Sequence, residues 1–195
     1  SRYDAAASPA GTNVTALCVA GTTPPVVDAT EEWNFTSTLA AGAWATGGTL
    51  NTARATARGA TGTQTAAIIA GGLVAPIADS ETYDGSSWTE GNNLTTARGN
   101  ASATGTTTAA LHIGGNISGP SAIVESYDGT NWTEIADINT ARYDAGRSGT
   151  QTASLLFAGY TTAYAGINEE WNGTSWTEVA DLNTGRGILA SAGTT

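Results

Sequence analysis

The chain has 195 residues and a net charge of −10, because 7 arginines face 17 acidic residues and no lysine is present. Nucleic acids and anionic membranes are bound through clustered basic side chains, so this charge argues against both as partners. The single cysteine excludes an intrachain disulfide and a cysteine metal cluster, and the absence of about 18 consecutive apolar residues argues against membrane insertion.

An internal repeat of 44 residues dominates the sequence. Four tryptophans stand 44 residues apart, each with a glutamate upstream and an arginine ten residues downstream: Trp44, Trp88, Trp132 and Trp176; Glu31, Glu81, Glu125 and Glu169; Arg54, Arg98, Arg142 and Arg186. One such unit cannot bury its own apolar face, so we predict that the units stack into a single domain over residues 1–195.

The repeats run approximately over residues 1–53, 54–97, 98–141 and 142–185. The first is lengthened by an apparent insertion at Phe35–Gly42, and a fifth begins at 186–195. Because Arg2–Ala10 and Arg186–Thr195 correspond to the same innermost strand, we expect the sequence to be part of a longer chain.

Each repeat has the pattern of four short antiparallel strands. In the third repeat we predict strands at 100–104, 107–114, 123–127 and 132–135. Asp128-Gly129 predicts the tight turn between the last two strands, since this dipeptide tolerates positive φ. Frequent glycine, threonine and β-branched residues argue against helices. The predicted fold class is therefore all-β, with one four-stranded antiparallel sheet per repeat.

The repeat resembles that of the kelch family, in which an apolar strand ends in Gly-Gly and a spaced Tyr, Trp and Leu-x-x-x-Arg linker follow. Here the matching residues are Ile68-Ile69-Ala70-Gly71-Gly72, Tyr83, Trp88 and Leu94 to Arg98. The first and fourth repeats depart from it, with Ala20-Gly21 and Ala158-Gly159 in place of Gly-Gly and Trp33 and Trp171 in place of Tyr. The resemblance implies a kelch-like β-propeller segment of four blades.

The style of the repeats is also similar to kelch-like proteins of bacteriophages, as in the phrases Gly-Thr-Gln-Thr-Ala and Asp-Gly-Thr-Asn-Trp-Thr-Glu. Those proteins tend to be virion appendages of the tail-fibre type. This resemblance implies a location on a virion or an extracellular surface.

The columns of charged residues are interpreted as architecture. A catalytic group occurs once per site, whereas these glutamates and arginines occur once per repeat, so we expect buried ion pairs or carboxylate-to-backbone contacts. His112, the one histidine, shares a strand position with Cys18, Ile69 and Leu156, which indicates packing. No catalytic residue, metal site or cofactor is therefore expected.

Binding is expected where the repeats differ, because loops on a fixed scaffold carry function. The loops after the second strand diverge most, at 22–30, 73–80, 116–122 and 160–168. We expect them on one face with the Asn-Thr-Ala-Arg linkers, and the insertion at Phe35–Gly42 on the other. The candidate binding residues are Pro24, Pro25, Asp28, Pro76, Asp79, Asn116, Pro120, Tyr160 and Tyr164.

Two functions remain open at this point. The first is a non-enzymatic virion or cell-surface module that engages a host glycan or a protein receptor. The second is a structural module that docks onto other subunits of a larger assembly. Stacking of aromatic side chains on sugar would distinguish the first, and burial of apolar loops on a partner would distinguish the second.

Overall fold

The computed structural model describes residues 6–7, 15–19, 30–34, 43–55, 58–73 and 75–189. All regular structure in these residues is β, arranged as four antiparallel sheets of four strands each. In each sheet the spatial order of the strands follows the chain, so each sheet is a meander. Among the described residues there is no helix long and apolar enough to cross a membrane.

The first sheet consists of β1 (Ala6–Ala7), β2 (Thr15–Val19), β3 (Thr30–Asn34) and β4 (Ala43–Thr46). The second consists of β5 (Ala60–Thr63), β6 (Ala66–Leu73), β7 (Pro76–Tyr83) and β8 (Trp88–Glu90). The third consists of β9 (Ser102–Thr106), β10 (Ala109–Ile113), β11 (Val124–Tyr127) and β12 (Trp132–Glu134). The fourth consists of β13 (Gly146–Gly149), β14 (Ser154–Phe157), β15 (Asn168–Trp171) and β16 (Trp176–Val179).

The predicted all-β class and the one-sheet-per-repeat organisation are confirmed. In the third repeat, all four predicted strands lie within two residues of their observed bounds. The first strand begins two residues later than predicted, at Ser102. The reason is local: Asn100 has a φ of 54°, and this left-handed backbone cannot continue an extended strand.

Glycine columns hold equivalent places in successive repeats. The amides of Gly72, Gly115 and Gly159 each donate to the carbonyl of a repeated arginine, at 3.1, 3.0 and 2.9 Å. Positive φ at all three explains why glycine stands there. The fourth member of this predicted column, Gly21, lies outside the described residues. The predicted turn at Asp128-Gly129 is also present, with a φ of 95° at Gly129.

Consecutive sheets pack against each other through their faces. The first strands β1, β5, β9 and β13 are neighbours in chain order, so the inner edges of the sheets are gathered together. Apolar clusters fill the space between sheets; one joins Leu111 and Val124 of the third sheet to Leu156 and Trp176 of the fourth. Full burial of a side chain such as Leu111 contributes roughly 1.5–3 kcal/mol.

The predicted loop at 73–80 is wrong. β6 continues to Leu73 and β7 already begins at Pro76, so the connection is a tight hairpin. A register shift between Ala70 and Gly72 allows the ladder to continue past the double glycine. Pro76 and Asp79 are therefore strand residues.

Candidate functional site

Three tyrosines form an aromatic cluster at the loop end of the fourth repeat. The rings of Tyr143 and Tyr160 have centroids 5.1 Å apart and are tilted by 37°. Those of Tyr160 and Tyr164 are 5.6 Å apart in an edge-on arrangement at 84°. Tyr164 is 54% exposed, so one ring of the cluster is open to a ligand. We refer to Tyr143, Tyr160 and Tyr164 as the tyrosine patch.

The backbone that presents the tyrosine patch is not special to the fourth repeat. In the third repeat the Ser121 amide donates to the Gly115 carbonyl at 2.8 Å, and in the fourth the Ala165 amide donates to the Gly159 carbonyl at 2.9 Å. Both loops therefore close in the same way over the same number of residues.

The side chains on this shared backbone are different. Isolated β-bridges link Asn116 to Gly99 and to Pro120 in the third repeat, and Tyr160 to Tyr143 and to Tyr164 in the fourth. Gly99, Asn116 and Pro120 thus stand where the fourth repeat has its three tyrosines. The loop conformation does not require aromatic residues, so a requirement other than folding is the simplest reason for them.

Two further residues border the tyrosine patch. A Cβ added to Gly187 would lie 2.8 Å from Cδ1 of Tyr164, so the absence of a side chain there leaves room for the ring. Ile188 is 56% exposed, and its amide donates to the Asp144 carbonyl at 3.0 Å. Burial raises the pKa of Tyr143, with Tyr160 and Asp144 adding to the effect, so its hydroxyl is protonated at neutral pH.

The structure brings together only part of the predicted binding set. Tyr160 and Tyr164 are in contact, and Tyr143 joins them. Asn116 uses its Oδ1 to accept the Gly119 amide at 3.1 Å, so it stabilises its own loop. Pro24, Pro25 and Asp28 lie outside the described residues.

Among the described residues, no contact joins the remaining predicted residues, Pro76, Asp79 and Pro120, into a single site. Asp79 accepts the Arg54 Nη1 on its carbonyl at 2.8 Å and the Asn93 Nδ2 on its side chain at 3.1 Å, which are structural roles. Tyr143 was missed by the sequence analysis. The signal was present, since Gly99 and Gly187 occupy the same repeat position as Tyr143.

The chain at the end of the second strand, or just after it, contacts the linkers in the second and third repeats. The Leu73 amide donates to the Ala55 carbonyl, in the linker before the second sheet, at 2.9 Å. The Arg142 amide, in the linker after the third sheet, donates to the Ser121 carbonyl at 3.1 Å. Phe35–Gly42, the competing site of the sequence analysis, lies outside the described residues.

The repeated charged residues form buried carboxylate sites in the linkers between sheets. Glu81 on β7 accepts the backbone amides of Asn51 and Thr52 at 2.7 and 3.1 Å, and the Arg54 Nη2 at 2.5 Å. The side chains of Arg54 and Glu81 are fully buried. Burial lowers the pKa of Arg54, and Glu81 opposes that shift. We call two linker amides and the following arginine a linker carboxylate site.

The next two repeats contain the same arrangement. Glu125 accepts the Thr95 amide at 2.7 Å and a hydrogen bond from Arg98, and Glu169 accepts the Asn139 amide at 2.6 Å and a hydrogen bond from Arg142. The expectation of buried ion pairs with carboxylate-to-backbone contacts is confirmed for these three repeats. Arg186 differs, because it is exposed.

Arg147 lies at the inner edges of the sheets. Arg147 is paired with Leu156 on the second strand of its sheet, as Ala60 is with Ile69 and Ala103 with His112. It therefore occupies the strand position that Ala60 and Ala103 hold in their sheets. Its guanidinium donates to the carbonyls of Ala103, Arg58 and Ala60 at 3.3, 3.2 and 3.4 Å. Burial, and then the charge of Arg58, lowers its pKa to about 10. The second arginine outside the repeated column, Arg58, forms an ion pair with Asp144 at 3.2 Å.

His112 is a packed residue, as the sequence predicted. It is 1% exposed; its Nε2 lies 3.2 Å from the Ala70 carbonyl, and its ring meets Trp132 edge-on at 6.0 Å. A Cβ on Gly59 would lie 2.5 Å from Nε2, so this glycine makes room for the ring.

The side chain of Cys18 lies outside the described part. Within that part, no three His, Cys, Asp or Glu residues are grouped in a way that could hold a metal ion.

A scan against models of protein families found no match, and a search of curated proteins also found none. Among solved structures, the chain is similar to the protein in "Structure of YjhT", with a TM-score of 0.71 and 12% sequence identity. The superposition covers 95% of this chain and 67% of that chain. At this level of identity the likeness concerns the fold alone: the chain shares the all-β fold of that protein.

Proposed function

We propose that this chain is a segment of a kelch-like β-propeller and acts as a surface-binding module whose ligand contacts the tyrosine patch. The propeller arrangement is supported by the four meanders, by the gathering of their first strands, and by the kelch-like repeat. A location on a virion appendage or a cell surface is supported by the style of the repeats.

The single observation that carries the proposal is the comparison of the third and fourth loops. Two loops with the same backbone bonds differ by three aromatic residues at three contacting positions. The shared backbone bonds do not call for tyrosine, so the difference between the two loops is where we expect a function private to the fourth repeat.

The chemistry of the tyrosine patch favours a neutral sugar. Tyrosine combines a flat apolar face with a hydroxyl that donates and accepts hydrogen bonds, and the exposed Tyr164 ring offers such a face. With a net charge of −10, the protein repels anionic ligands at long range. A glycan that stacks an unsubstituted ring face on Tyr164 fits both properties.

The test replaces the fourth loop by the residues of the third, as Tyr143→Gly, Tyr160→Asn and Tyr164→Pro together. Binding to an array of neutral and sialylated glycans is compared with that of the unaltered chain, and circular dichroism checks the fold. We expect neutral glycans to be bound by the unaltered chain and lost from the triple variant. A folded triple variant that keeps the same glycan profile contradicts the proposal.

The second candidate is a structural docking module, and the exposed Ile188 beside the tyrosine patch is the observation that favours it. Apolar exposure of this kind suits a protein partner better than a sugar. Two results together would favour the docking module. The triple variant would bind the same glycans as the unaltered chain, or neither would bind any, and the triple variant would fail to assemble into its native particle.

A further inference from the structure

We infer that the fourth linker, residues 182–186, is an open carboxylate-binding site that accepts a glutamate from a further β-sheet of the same repeat type. The three preceding linkers each bind such a glutamate with two amides and an arginine. The fourth presents the same groups, and among the described residues no carboxylate occupies them. This inference concerns an interface and is independent of the tyrosine patch.

The fourth linker already has the backbone of an occupied site. The Leu182 amide donates to the Gly166 carbonyl at 2.9 Å, and the Arg186 amide donates to the Ala165 carbonyl at 3.2 Å. The corresponding bonds of the third linker run from Ile138 to Ala122 and from Arg142 to Ser121, both at 3.1 Å. The amides of Asn183 and Thr184 are consequently held in the places from which their counterparts donate to Glu169.

The arginine of the fourth linker is also held in place. Arg186 Nε donates to the Thr184 carbonyl at 3.3 Å, the same bond that Arg54 Nε forms with the Thr52 carbonyl at 3.3 Å. The side chain is therefore folded along its linker as in an occupied site. What differs is solvent access: Arg54 is fully buried, whereas Arg186 is exposed.

Apolar side chains around the fourth linker are also more accessible to solvent than their counterparts in the preceding repeats. Leu182 is half-buried, although its counterpart Leu94 is only 4% exposed. On the sheet itself Leu155 is half-buried, although its counterpart Leu111 is completely buried. In the inner interfaces these positions are covered by the tyrosine and tryptophan of the following sheet, as in the cluster that contains Leu94, Tyr127 and Trp132.

These features together define the partner. Two amides and a guanidinium bind a carboxylate, and the neighbouring leucines require an apolar sheet face beside it. In every occupied site the glutamate follows its arginine by 27 residues and lies on the third strand of the next sheet.

The test uses the full chain with a second copy of residues 142–185 inserted after Gly185. The inserted Arg142 then takes the place of Arg186, and the inserted Glu169 reaches the fourth linker. The matched control carries Glu169→Gln in the inserted copy alone. Hydrogen exchange of the Asn183 and Thr184 amides and the urea midpoint are measured for the unaltered chain and for both extended chains.

We expect exchange of these two amides to slow by about tenfold in the glutamate version, the factor that one hydrogen bond of ordinary net strength is worth. The urea midpoint should also lie above that of the glutamine control. Equal exchange rates and equal urea midpoints in the two extended chains overturn the inference. So does a glutamate version in which the Asn183 and Thr184 amides exchange as fast as in the unaltered chain. If the unaltered chain instead dimerises and Arg186→Ala abolishes the dimer, the partner is a second copy and the assigned occupant is wrong.

Discussion

The indole Nε1 of Trp88 donates a hydrogen bond of 2.9 Å to Oγ1 of Thr30 on the preceding sheet. Trp176 occupies the equivalent place in the fourth sheet, and Val124 occupies that of Thr30 in the third. Trp176 and Val124 are buried in one cluster. Among the described residues the Trp176 Nε1 has no hydrogen-bond partner.

This comparison predicts the effect of Val124→Thr. A buried hydroxyl without a partner destabilises a core, but here the new oxygen can accept the Trp176 Nε1. We expect the variant to be at least as stable as the unaltered chain, since the new bond contributes about 0.5–1.5 kcal/mol. The same substitution in a Trp176→Phe background should be destabilising. Urea unfolding of the four chains gives the coupling energy, and a coupling near zero contradicts the pairing.

A second prediction concerns the asparagine that begins a linker. The Asn139 Nδ2 donates to Glu169 at 2.8 Å and to the Trp176 carbonyl at 3.2 Å, and Asn51 forms the equivalent two bonds. The second linker has Thr95 instead. Thr95→Asn should therefore raise the free energy of unfolding by about 1 kcal/mol, and Asn139→Thr should lower it by a similar amount. Urea unfolding should give changes of opposite sign in the free energy of unfolding for the two variants, and changes of the same sign would contradict the prediction.

Removal of a buried arginine is expected to be far more damaging than removal of an exposed one. Arg98→Ala leaves the Glu125 carboxylate buried without its cation, which costs roughly 3–5 kcal/mol. Arg186→Ala serves as the control, because Arg186 is exposed. Thermal unfolding should show a large loss for Arg98→Ala and little change for Arg186→Ala. An unchanged melting temperature for Arg98→Ala would refute the energetic role of the pair.

His112 makes the stability depend on pH. Burial, and then the positive charge of Arg98, holds its pKa well below its ordinary value of 6.5. Below pH 6.5 the unfolded chain binds a proton that the folded chain does not, so this residue lowers stability as the pH falls. His112→Leu, which installs the residue found at Leu156, should reduce the loss of stability between pH 6.5 and lower values.

The measurement is the urea midpoint of both chains at pH 7.5 and at pH 5. Carboxylates that titrate in this range are common to both chains, so the difference between the two pH dependences isolates His112. Identical pH dependences would mean that the ring is protonated in the folded state as easily as in the unfolded one.

Residues that recur could be interpreted from the sequence because the same environment recurs with them. Equivalents of Glu125 and of Arg98 occur in every repeat. A group that is needed once per repeat has an architectural role, because a catalytic group is needed once per site. The start of β7 at Pro76 could not be predicted, since it depends on a bulge at Gly71 and Gly72 that the pattern of residues does not indicate.

The candidate site was predictable only in part, for a different reason. Tyr160 and Tyr164 attracted attention as aromatic residues in a divergent loop, but Tyr143 lies in a linker and reaches them across a β-bridge. Contacts across such a bridge depend on how a loop folds back on its linker. The hydrogen bonds of Arg147 likewise depend on which sheets meet at the inner edge, which a period of 44 residues does not specify.

Those bonds of Arg147 bear on how near-identical repeats find their places during folding. Repeats of similar sequence can exchange positions and become trapped in misassembled states. Arg147 is a large cation where Ala60 and Ala103 hold the equivalent places, and its donors reach carbonyls on the second and third sheets at once. Arg147 therefore ties the first strand of the fourth sheet to the second and third sheets through bonds that its counterparts Ala60 and Ala103 cannot form, and only the fourth repeat gains this anchor as the sheets assemble.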